Sequence, residues 1–531
     1  FSGCFTTTAY ACNFARLMAT DESHFLTVGE SQLRSLLGDH LLQRLQQDTE
    51  GKLHQRLFRC LRGAIIDGVI QPKTRLPASR DLASEIHVSR NTVLSAYEQL
   101  QAEGYLEART GHGTWVAEKL PESFLNTQNK KKVVSSPNIQ SSYALSQRGS
   151  NLLGYAAASP HQWGAFVPGA PDVTEFPHHI FSRIQARLSR EPDINRLIYS
   201  NAGGCIELRS ALADYLRVAR SVQCDADQII ITEGIHQAID LVSRALSDMG
   251  DKVWIEDPAY WGMRNTLRIN GLDIQPMPVD AEGIIPEENP AVPPKLIFVT
   301  PSHQYPLGSH LSLDRRRQLI QIARQHNSWI VEDDYDSEFR FSGQPYPSLQ
   351  GLENNAPVLY MGTFSKTIYP SLRIGYLVVP KPLFSPLRIV AAELYRGGHL
   401  LEQKALAEFI REGHYEAHIR RMRLLYGKRR DYLVSLIQRY LGPEFIHEYD
   451  EAAGLHLVLK LPNSCDDVAI AATALERGVK VRPLSQYYMQ SHAHAERGLL
   501  MGFACVNEKD MVMAFGVLLQ CLREAGLPTL N

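Results

Sequence analysis

At 531 residues the chain is too long for one ordinary core, and its length predicts roughly two to four domains. Hydrophobic residues make up 44% and charged residues 21%, which is the composition of a soluble globular protein. With 55 basic and 57 acidic residues the net charge is -2, so any nucleic-acid contact must come from a local basic patch and not from the whole chain.

The cysteines and the apolar runs exclude further classes. The eight cysteines are scattered and form no Cys-x-x-Cys pair, so neither a metal site nor a disulfide framework is indicated, and a reduced, cytoplasmic protein is expected. The longest apolar runs, such as 296–300, are strand-sized and far short of a membrane span. Residues 1–50 are predicted to be a partly disordered N-terminal extension, of which 1–17 would precede the true start at Met18.

Residues 51–120 are predicted to form a compact unit of short helices followed by a hairpin. Apolar residues recur every four positions in the first helix, at Leu57, Leu61 and Ile65. Ser79 is expected to cap the next helix, and Ser89 to cap a third that ends at Gly104. Residues 105–116 then have the pattern of a hairpin.

The second and third helices of this unit have the spacing of a DNA-reading pair. The tight turn at His87 and Val88 joins them, which places the later helix where a recognition helix lies in a groove. Its first turn, residues 89–92, holds four side chains able to contact phosphates or base edges. The alternative is a solvated helical domain whose arginines simply face water.

The order of these motifs strongly resembles the GntR-type winged helix-turn-helix. The resemblance is carried by TRLPASRDLA at 74–83, VSRNTV at 88–93 and EGYL at 103–106, and it covers essentially all of 51–120. It implies an α+β domain that binds a double-stranded DNA operator. The contact positions that it implies are Arg75, Ser79, Arg80, Ser89, Arg90, Thr92, Arg109, Gly111 and Gly113.

The remainder of the chain separates into a linker and a large domain. Residues 121–160 have no apolar periodicity and are predicted to be a flexible linker. In 161–531, short β-rich runs alternate with helical stretches, which predicts a mostly parallel α/β sheet. The β-rich runs are 228–231, 252–255, 296–299, 329–331 and 359–361.

A lysine segment after one of these strands predicts a pyridoxal phosphate (PLP) site. In the run TFSK at 363–366, Lys366 can form an imine with the cofactor aldehyde, while hydroxyls before it and Arg373 after it suit a phosphate. Asp333, at the end of another strand, can keep the pyridine nitrogen protonated, and Tyr335 can bind the phenolic oxygen. Each feature alone has plainer structural explanations, but together they indicate the cofactor.

Two further positions complete the predicted site. Tyr260 follows a strand and can stack on the cofactor ring, although a locally packed turn tyrosine is the alternative. Gly234 leads from a strand into a helix, whose first backbone N–H groups, including that of Ile235, suit a phosphate.

The order and spacing of the large-domain motifs resemble the aminotransferase domain of MocR-type regulators, of which GabR is the best-known member. The runs that carry the resemblance are FVPGAPD at 166–172, TPSHQYP at 300–306, GTFSK at 362–366 and HIRRMR at 418–423. The match extends over roughly 165–520 and implies the α/β fold type I of PLP-dependent transferases, with a large domain and a smaller C-terminal α+β domain.

The resemblance also implies roles for single residues. Lys366 would be the Schiff-base lysine, and the other cofactor contacts would be Asp333, Tyr335, Tyr260, Gly234, Ile235, Thr363, Ser365 and Arg373. In a homodimer Tyr199 would reach the phosphate of the partner subunit. Glu233 and Leu307 depart from the family pattern, which has small hydroxyl residues at both places. Arg482 and Arg497 are candidates for an effector carboxylate, with ordinary surface arginines as the alternative.

The sequence therefore favours a cytoplasmic, PLP-dependent transcriptional regulator that senses an amine, an amino acid or PLP itself. Two alternatives stay open: a working aminotransferase with an accessory DNA-binding domain, and a constitutive DNA-binding protein whose PLP fold is inactive. Binding of an amine in place of Lys366 would give the ligand a different affinity for two domain arrangements, which any switch requires.

Overall fold

The structure, a computed structural model, consists of two compact units, residues 1–143 and 144–531. It describes residues 36–109, 113–121, 145–154, 162–191, 193–194, 198, 203–343, 346–450, 452–489, 495–528 and 530.

The first unit has the predicted helices and hairpin around one small core. Its elements are α1 (Leu36–Gln47), α2 (Leu53–Ile66), α3 (Ser79–Glu85), α4 (Arg90–Ala102), β1 (Leu106–Arg109) and β2 (Gly113–Val116). The strands pair antiparallel. Leu57, Leu61, Leu82, Val93 and Leu100 are fully buried in a shared cluster, so the apolar periodicity of the sequence becomes the face on which the helices pack.

Helix α1 lies within the predicted N-terminal extension and was not foreseen. Leu41 and Leu45 of this helix are buried in the same core as α2. The guanidinium of Arg44 lies 2.7 Å from the carboxylate of Asp67, beyond the far end of α2. The folded part of the first unit therefore begins before residue 51.

The two predicted helix caps have different outcomes. Ser79 is not an N-cap: it is the first residue of α3, and Ala78 stands at the cap position without a side-chain hydrogen bond. Ser89 does cap α4, because its hydroxyl accepts a hydrogen bond from the Thr92 N–H at 3.2 Å. The turn between the helices places His87 at a φ of 54°.

The second unit is built on one eight-stranded, mostly parallel sheet, as predicted. Its strands are β3 (Ile229–Thr232), β4 (Lys252–Asp257), β5 (Asp273–Asp280), β6 (Gly283–Ile284), β7 (Leu296–Val299), β8 (Trp329–Asp334), β9 (Val358–Thr363) and β10 (Gly375–Val378). Their order is β3-β10-β9-β8-β7-β4-β5-β6. Strand β10 runs antiparallel to both neighbours, whereas β4, β5, β7, β8 and β9 are parallel. Strands buried on both faces read as continuous apolar runs, which is why they were found in the sequence.

Helices cover this sheet, and a smaller sheet follows it. The helices are α5 (Gln147–Gly154), α6 (His178–Arg190), α7 (Ile206–Arg220), α8 (Ile235–Leu246), α9 (Trp261–Ile269), α10 (Leu313–His326), α11 (Lys381–Tyr395), α12 (Leu400–Arg411), α13 (His414–Tyr440), α14 (Asp467–Glu476) and α15 (Glu508–Glu524). Strands β11 (His456–Leu461), β12 (Arg482–Pro483) and β13 (Arg497–Gly502) form the antiparallel small sheet in the order β11-β13-β12. Within the described ranges, no helix combines the length and the apolar character that crossing a membrane requires.

One local feature bears on the predicted boundaries. Helix α5 lies inside the stretch predicted to be linker, and its Arg148 side chain donates to the carbonyl oxygen of Ile269 at the end of α9, at 3.3 Å.

The small domain contacts the large one at α9, the helix that follows β4. There the Arg264 side chain donates to the carbonyl oxygen of Tyr487 at 2.9 Å.

Candidate functional site

The predicted DNA-contact residues of the first unit lie mainly on its exposed surface. Arg75, Arg80 and Arg90 are exposed, and Arg90 is the first residue of α4. The hydroxyl groups of Ser89 and Thr92 lie 2.8 Å apart and form a hydrogen bond with each other. Either hydroxyl could contact DNA only in addition to this bond or in place of it.

The hairpin lies beside Arg75. Gly113 has a φ of +87°, and a Cβ atom there would lie 3.2 Å from Nε of Arg75, so glycine leaves room for this arginine next to the hairpin. Arg109 ends β1, and Gly111 lies outside the described residues. A basic helix end beside a glycine-containing hairpin is an arrangement that can bind a phosphate backbone.

The second unit holds a cavity of about 240 Å3 at the carboxyl ends of β8 and β9. Sequence-predicted residues that line it are Ile235, Tyr260, Asp333, Tyr335, Thr363, Ser365, Lys366 and Arg373. They come from separate segments between residues 235 and 373, which the parallel sheet brings to one edge. Gln162, Gly169, His236, Thr300, Tyr305 and Pro370 also line the cavity and were not assigned to it.

Lys366 is one of the residues that line this cavity. Its Nζ donates a hydrogen bond to the carbonyl oxygen of Gly169 at 2.8 Å. Burial lowers the pKa of the Lys366 ammonium, although the carboxylates of Asp336 and Asp333 oppose that effect. A lowered pKa leaves more of the amine in the uncharged form that attacks an aldehyde.

Asp333 presents an unsatisfied carboxyl group to the same space. It lies near the end of β8 and is 5% exposed, and its Oδ1 has no hydrogen-bond partner among the described residues. Burial, together with the neighbouring Asp334, raises its pKa to about 8. A buried carboxyl oxygen without a partner indicates a missing donor, and the protonated nitrogen of a pyridine ring would supply one.

The opposite end of the cavity has the features of a phosphate site. Gly234 caps α8 with a φ of +83°, and a Cβ atom there would lie 3.1 Å from the guanidinium of Arg373. This guanidinium therefore lies against the start of α8, where unpaired N–H groups favour an anion. It also donates to the carbonyl oxygen of Glu233 at 2.6 Å, so the unusual Glu233 contributes its backbone at this point.

The aromatic side of the cavity is formed by Tyr260 and Tyr305, each of which has a hydrogen-bond partner for its hydroxyl group. The Tyr260 hydroxyl lies 2.9 Å from Nε2 of His236, and the Tyr305 hydroxyl lies 3.2 Å from that of Tyr487 in the small domain. Burial raises the pKa of Tyr260 and of Tyr305 above the usual value of a phenol. These phenols therefore stay protonated at neutral pH and offer donors as well as a flat surface.

The two arginines predicted for an effector carboxylate occupy different surroundings, and neither is among the described residues that line the cavity. Arg497 lies 3.2 Å from the fully buried carboxylate of Asp467, which also accepts from the Ser485 hydroxyl. Arg482 lines a neighbouring cavity of about 230 Å3 together with Pro168. Arg497 is thus paired within the small domain, whereas Arg482 lies near Pro168, next to the residue Gly169 that accepts the hydrogen bond of Lys366.

Two remaining positions from the sequence can be placed. Leu307, a departure from the family pattern, is buried in a cluster with Leu484 and Leu500 of the small domain, which explains an apolar residue there. Tyr199 lies outside the described residues.

Comparisons with known proteins agree with this two-part architecture. Residues 178–515 match the family Aminotransferase class I and II, and residues 53–116 match the family of bacterial regulatory proteins, gntR family. The probable rhizopine catabolism regulatory protein MocR of Rhizobium meliloti is 39% identical over 472 residues, which cover 88% of this chain and 93% of that protein. The chain belongs to the MocR-type family of transcriptional regulators.

Another transcriptional regulator and two solved aminotransferases extend the comparison. The pyridoxine biosynthesis transcriptional regulator PdxR of Corynebacterium glutamicum is 30% identical over 86% of this chain and 94% of its own. A kynurenine aminotransferase of Pyrococcus horikoshii, solved with PMP, has a TM-score of 0.62 at 25% identity over 72% of this chain and 95% of its own. The α-aminoadipate aminotransferase LysN of Thermus thermophilus has a TM-score of 0.64 at 24% identity, over 72% and 99% of the two chains.

These findings settle the general function of the chain. It is a DNA-binding transcriptional regulator whose large domain has the aminotransferase fold and takes PLP as its cofactor. The residues present fit the cofactor, because the cavity combines an amine at Lys366, an unpaired carboxyl oxygen at Asp333 and the positive start of α8.

Proposed function

We propose that the cavity of this regulator is its sensor, in which an amine, an amino acid or PLP itself binds and changes operator binding by the winged helix. The observation that carries the proposal is the contact of Lys366 with Gly169. Gly169 belongs to the first described segment after the predicted linker. Its hydrogen bond with Lys366 changes when Nζ is bonded to PLP, and again when an amine releases Nζ from PLP. The occupancy of the cavity is thereby linked to the segment that leads back to the DNA-binding unit.

PLP supplies an aldehyde that bonds covalently to amines and a ring that withdraws electrons. In the proposed site, Lys366 is the amine of the protein, Asp333 accepts a hydrogen bond from the protonated ring nitrogen, Tyr335 donates to the phenolic oxygen and Tyr260 stacks on the ring. The phosphate is held by Thr363, Ser365, Arg373 and the backbone N–H groups of Gly234 and Ile235. In the inferred homodimer, the partner subunit's Tyr199 reaches this phosphate.

For an effector that carries a carboxylate, we favour Arg482 over Arg497 as the receptor. Arg482 is near enough to Tyr305 and Tyr260 for its positive charge to oppose the rise in their pKa. Arg497 already neutralises the buried Asp467, and breaking that pair would leave a buried charge uncompensated. We also infer a cytoplasmic location, because a regulator must reach its operator.

The test is a cofactor and operator titration on two lysine variants. Lys366→Ala removes the proposed covalent attachment, while Lys381→Ala removes an exposed lysine that pairs with Asp225 at 2.9 Å. Candidate amines and PLP are added to purified protein with an operator fragment selected by the wild-type protein, and the cofactor spectrum and DNA affinity are followed together. We expect Lys366→Ala to lose the response of DNA binding to the ligand, and Lys381→Ala to keep it.

If operator binding and its response were both unchanged in Lys366→Ala, the sensor proposal would fail. Steady turnover of an amino acid with a keto acid, without any effect on DNA affinity, would instead assign the cavity to an aminotransferase reaction. A ligand response retained in Arg482→Leu but lost in Arg497→Leu, with equal thermal stability of both variants, would reverse the choice between the two arginines.

A further inference from the structure

A buried histidine and a buried carboxylate lie against the hydroxyl group of Tyr335. Nδ1 of His303 is 3.2 Å from each carboxylate oxygen of Asp336 and 2.9 Å from the Tyr335 hydroxyl oxygen. His303 is 5% exposed and Asp336 is 2% exposed, so both groups are removed from solvent. One ring nitrogen is therefore shared between the carboxylate and the phenol.

One glycine leaves the space that this histidine occupies. Gly454 has a φ of +74°, and a Cβ atom there would lie 2.2 Å from Cε1 of His303 and 2.6 Å from Oδ2 of Asp336. A distance of 2.2 Å is impossible between non-bonded heavy atoms, so any side chain at residue 454 would displace the pair.

The distances determine where the proton of this ring nitrogen must be. A carboxylate has no proton to donate, so Nδ1 can bond to Asp336 only if Nδ1 itself carries the hydrogen. With the hydrogen on Nδ1, the Tyr335 oxygen accepts from the histidine and cannot donate to it. The hydrogen of the Tyr335 hydroxyl is then free to point away from His303, into the cavity that Tyr335 lines.

The other imidazole packed against His303 does not change this assignment. The ring of His456 lies with its centroid 5.6 Å from that of His303, and its Nε2 donates to the carbonyl oxygen of Pro306 at 3.0 Å. Burial and the neighbouring His303 lower the pKa of His456 to about 4, so it is uncharged at neutral pH. Asp336 therefore keeps its influence on the His303 proton.

We propose that Asp336, acting through His303, is a positioning residue that directs the hydroxyl proton of Tyr335 toward the phenolic oxygen of the cofactor. The inference rests on the proposed role of Tyr335 at that oxygen. The Asp336 carboxylate fixes the hydrogen on Nδ1 of His303, and this hydrogen in turn makes the Tyr335 oxygen an acceptor toward His303. A carboxylate that accepts from a metal-bound histidine sets the tautomer of that histidine in the same way.

The experiment measures the pH midpoint of the visible band of the PLP-loaded protein. Donation from Tyr335 stabilises negative charge on the phenolic oxygen, so Tyr335→Phe should raise the midpoint by about one to two pH units. His303→Phe breaks the link between Asp336 and Tyr335 but keeps the charge of Asp336, which itself raises the pKa of Lys366, and we expect a shift in the same direction. The double variant should shift no further than Tyr335→Phe alone, because both changes remove one interaction.

Glu496→Gln is the matched control, because Glu496 forms a second histidine–carboxylate pair, 2.9 Å from Nε2 of His447 and outside the cavity. Its midpoint should equal that of the wild type. Should His303→Phe fail to fold, Asp336→Asn is compared in the wild-type and Tyr335→Phe backgrounds. The loss of its charge lowers the midpoint equally in both, so any difference between them reports the link to Tyr335.

Additive shifts, or a shift in Tyr335→Phe with none in His303→Phe, would overturn the positioning role while leaving the cofactor assignment of Tyr335 intact. An unchanged midpoint in Tyr335→Phe would instead remove Tyr335 from the proposed cofactor site, and this inference with it. Neither result bears on whether the ligand controls DNA binding, which the operator titration of the Lys366 variant tests separately.

Discussion

Nζ of Lys366 donates a hydrogen bond to the backbone carbonyl oxygen of Gly169, 197 positions earlier in the chain, at 2.8 Å. The partner is a backbone atom, so the contact depends on the path of the 162–170 segment and not on the identity of a side chain. Gly169 has a φ of +68°, a conformation that glycine adopts without strain. The conformation of one residue thus holds the reactive lysine.

Substitution at this glycine should weaken cofactor binding. In Gly169→Ala the new Cβ would lie 3.0 Å from Nζ of Lys366, so the lysine must move or the segment must shift. We expect a loss of PLP affinity of about tenfold, measured by titration of the cofactor-free protein. Gly478→Ala is the control, because Gly478 also has a positive φ, of +87°, but a Cβ there meets nothing within 4 Å. Equal affinities in the two variants would contradict the prediction.

The raised pKa of Asp333 should make the cofactor-free protein less stable as the pH rises. Its pKa is about 8 in the folded protein and near 4 for an ordinary aspartate, so between these values the folded state holds a proton that the unfolded state has released. The contribution of Asp333 to stability is therefore greatest below about pH 4 and falls through this window, by up to about 1.4 kcal/mol per pH unit.

Asp333→Asn removes that titration and leaves the other buried acids unchanged. The difference in thermal midpoint between variant and wild type should therefore grow in favour of the variant from about pH 6 to about pH 8, when both are free of cofactor. Parallel curves for the two proteins would show that Asp333 does not titrate in this range. The same variant should bind PLP more weakly, because an amide cannot compensate the charge of a protonated ring nitrogen.

Arg90 should contribute a phosphate contact to operator binding. It is exposed at the start of α4, and neutralising one phosphate changes the slope of log affinity against log salt by about 0.9. Arg90→Ala should reduce the slope by about one, as measured by DNA titrations between about 50 and 200 mM salt, a range over which the effect is resolvable. Arg59→Ala is the comparison, because Arg59 already pairs with Asp48 at 2.8 Å, and its slope should stay at the wild-type value.

Ser89 combines a structural role with a predicted DNA contact, and two substitutions separate them. Ser89→Ala loses the cap on the Thr92 N–H and should destabilise the first unit by about 1 kcal/mol. Ser89→Asp keeps a capping oxygen, so its thermal stability should match the wild type, but the added negative charge should lower operator affinity by about tenfold or more. Normal operator binding by Ser89→Asp would exclude a close approach of α4 to the phosphates.

The sequence predicted those parts of the site whose residues follow one another along the chain. The lysine segment, the strand that ends in acids, and the turn into α8 each have a local pattern, and the structure brings Lys366, Asp333 and Ile235 from them to one cavity. His303 and Asp336 are 33 positions apart and meet only because the loops after β7 and β8 adjoin each other, so no spacing rule could pair them. Their chemistry depends on neighbours across the sheet.

The two unforeseen helices show a different limit. Helix α1 has 12 residues and α5 has 8, too short for their apolar spacing to stand out from chance, and each is stabilised by packing on another element. The failed cap at Ser79 has a similar origin. A serine before an apolar run signals a helix start but does not fix the start to one residue. Here the helix begins at Ser79 itself, one residue earlier than a cap at Ser79 would require.

Helix α1 also determines how the DNA-binding unit can be studied by itself. A fragment cut at residue 51, or at residue 53 where the match to the gntR family begins, would remove Leu41 and Leu45 from the core. Each such leucine contributes about 1.5 to 3 kcal/mol through burial, a large part of the stability of a domain of this size. A fragment that starts at residue 36 or earlier keeps α1 packed against α2. Weak or absent DNA binding by a fragment that starts at residue 51 or 53 would therefore reflect unfolding of the domain and not the loss of a DNA contact.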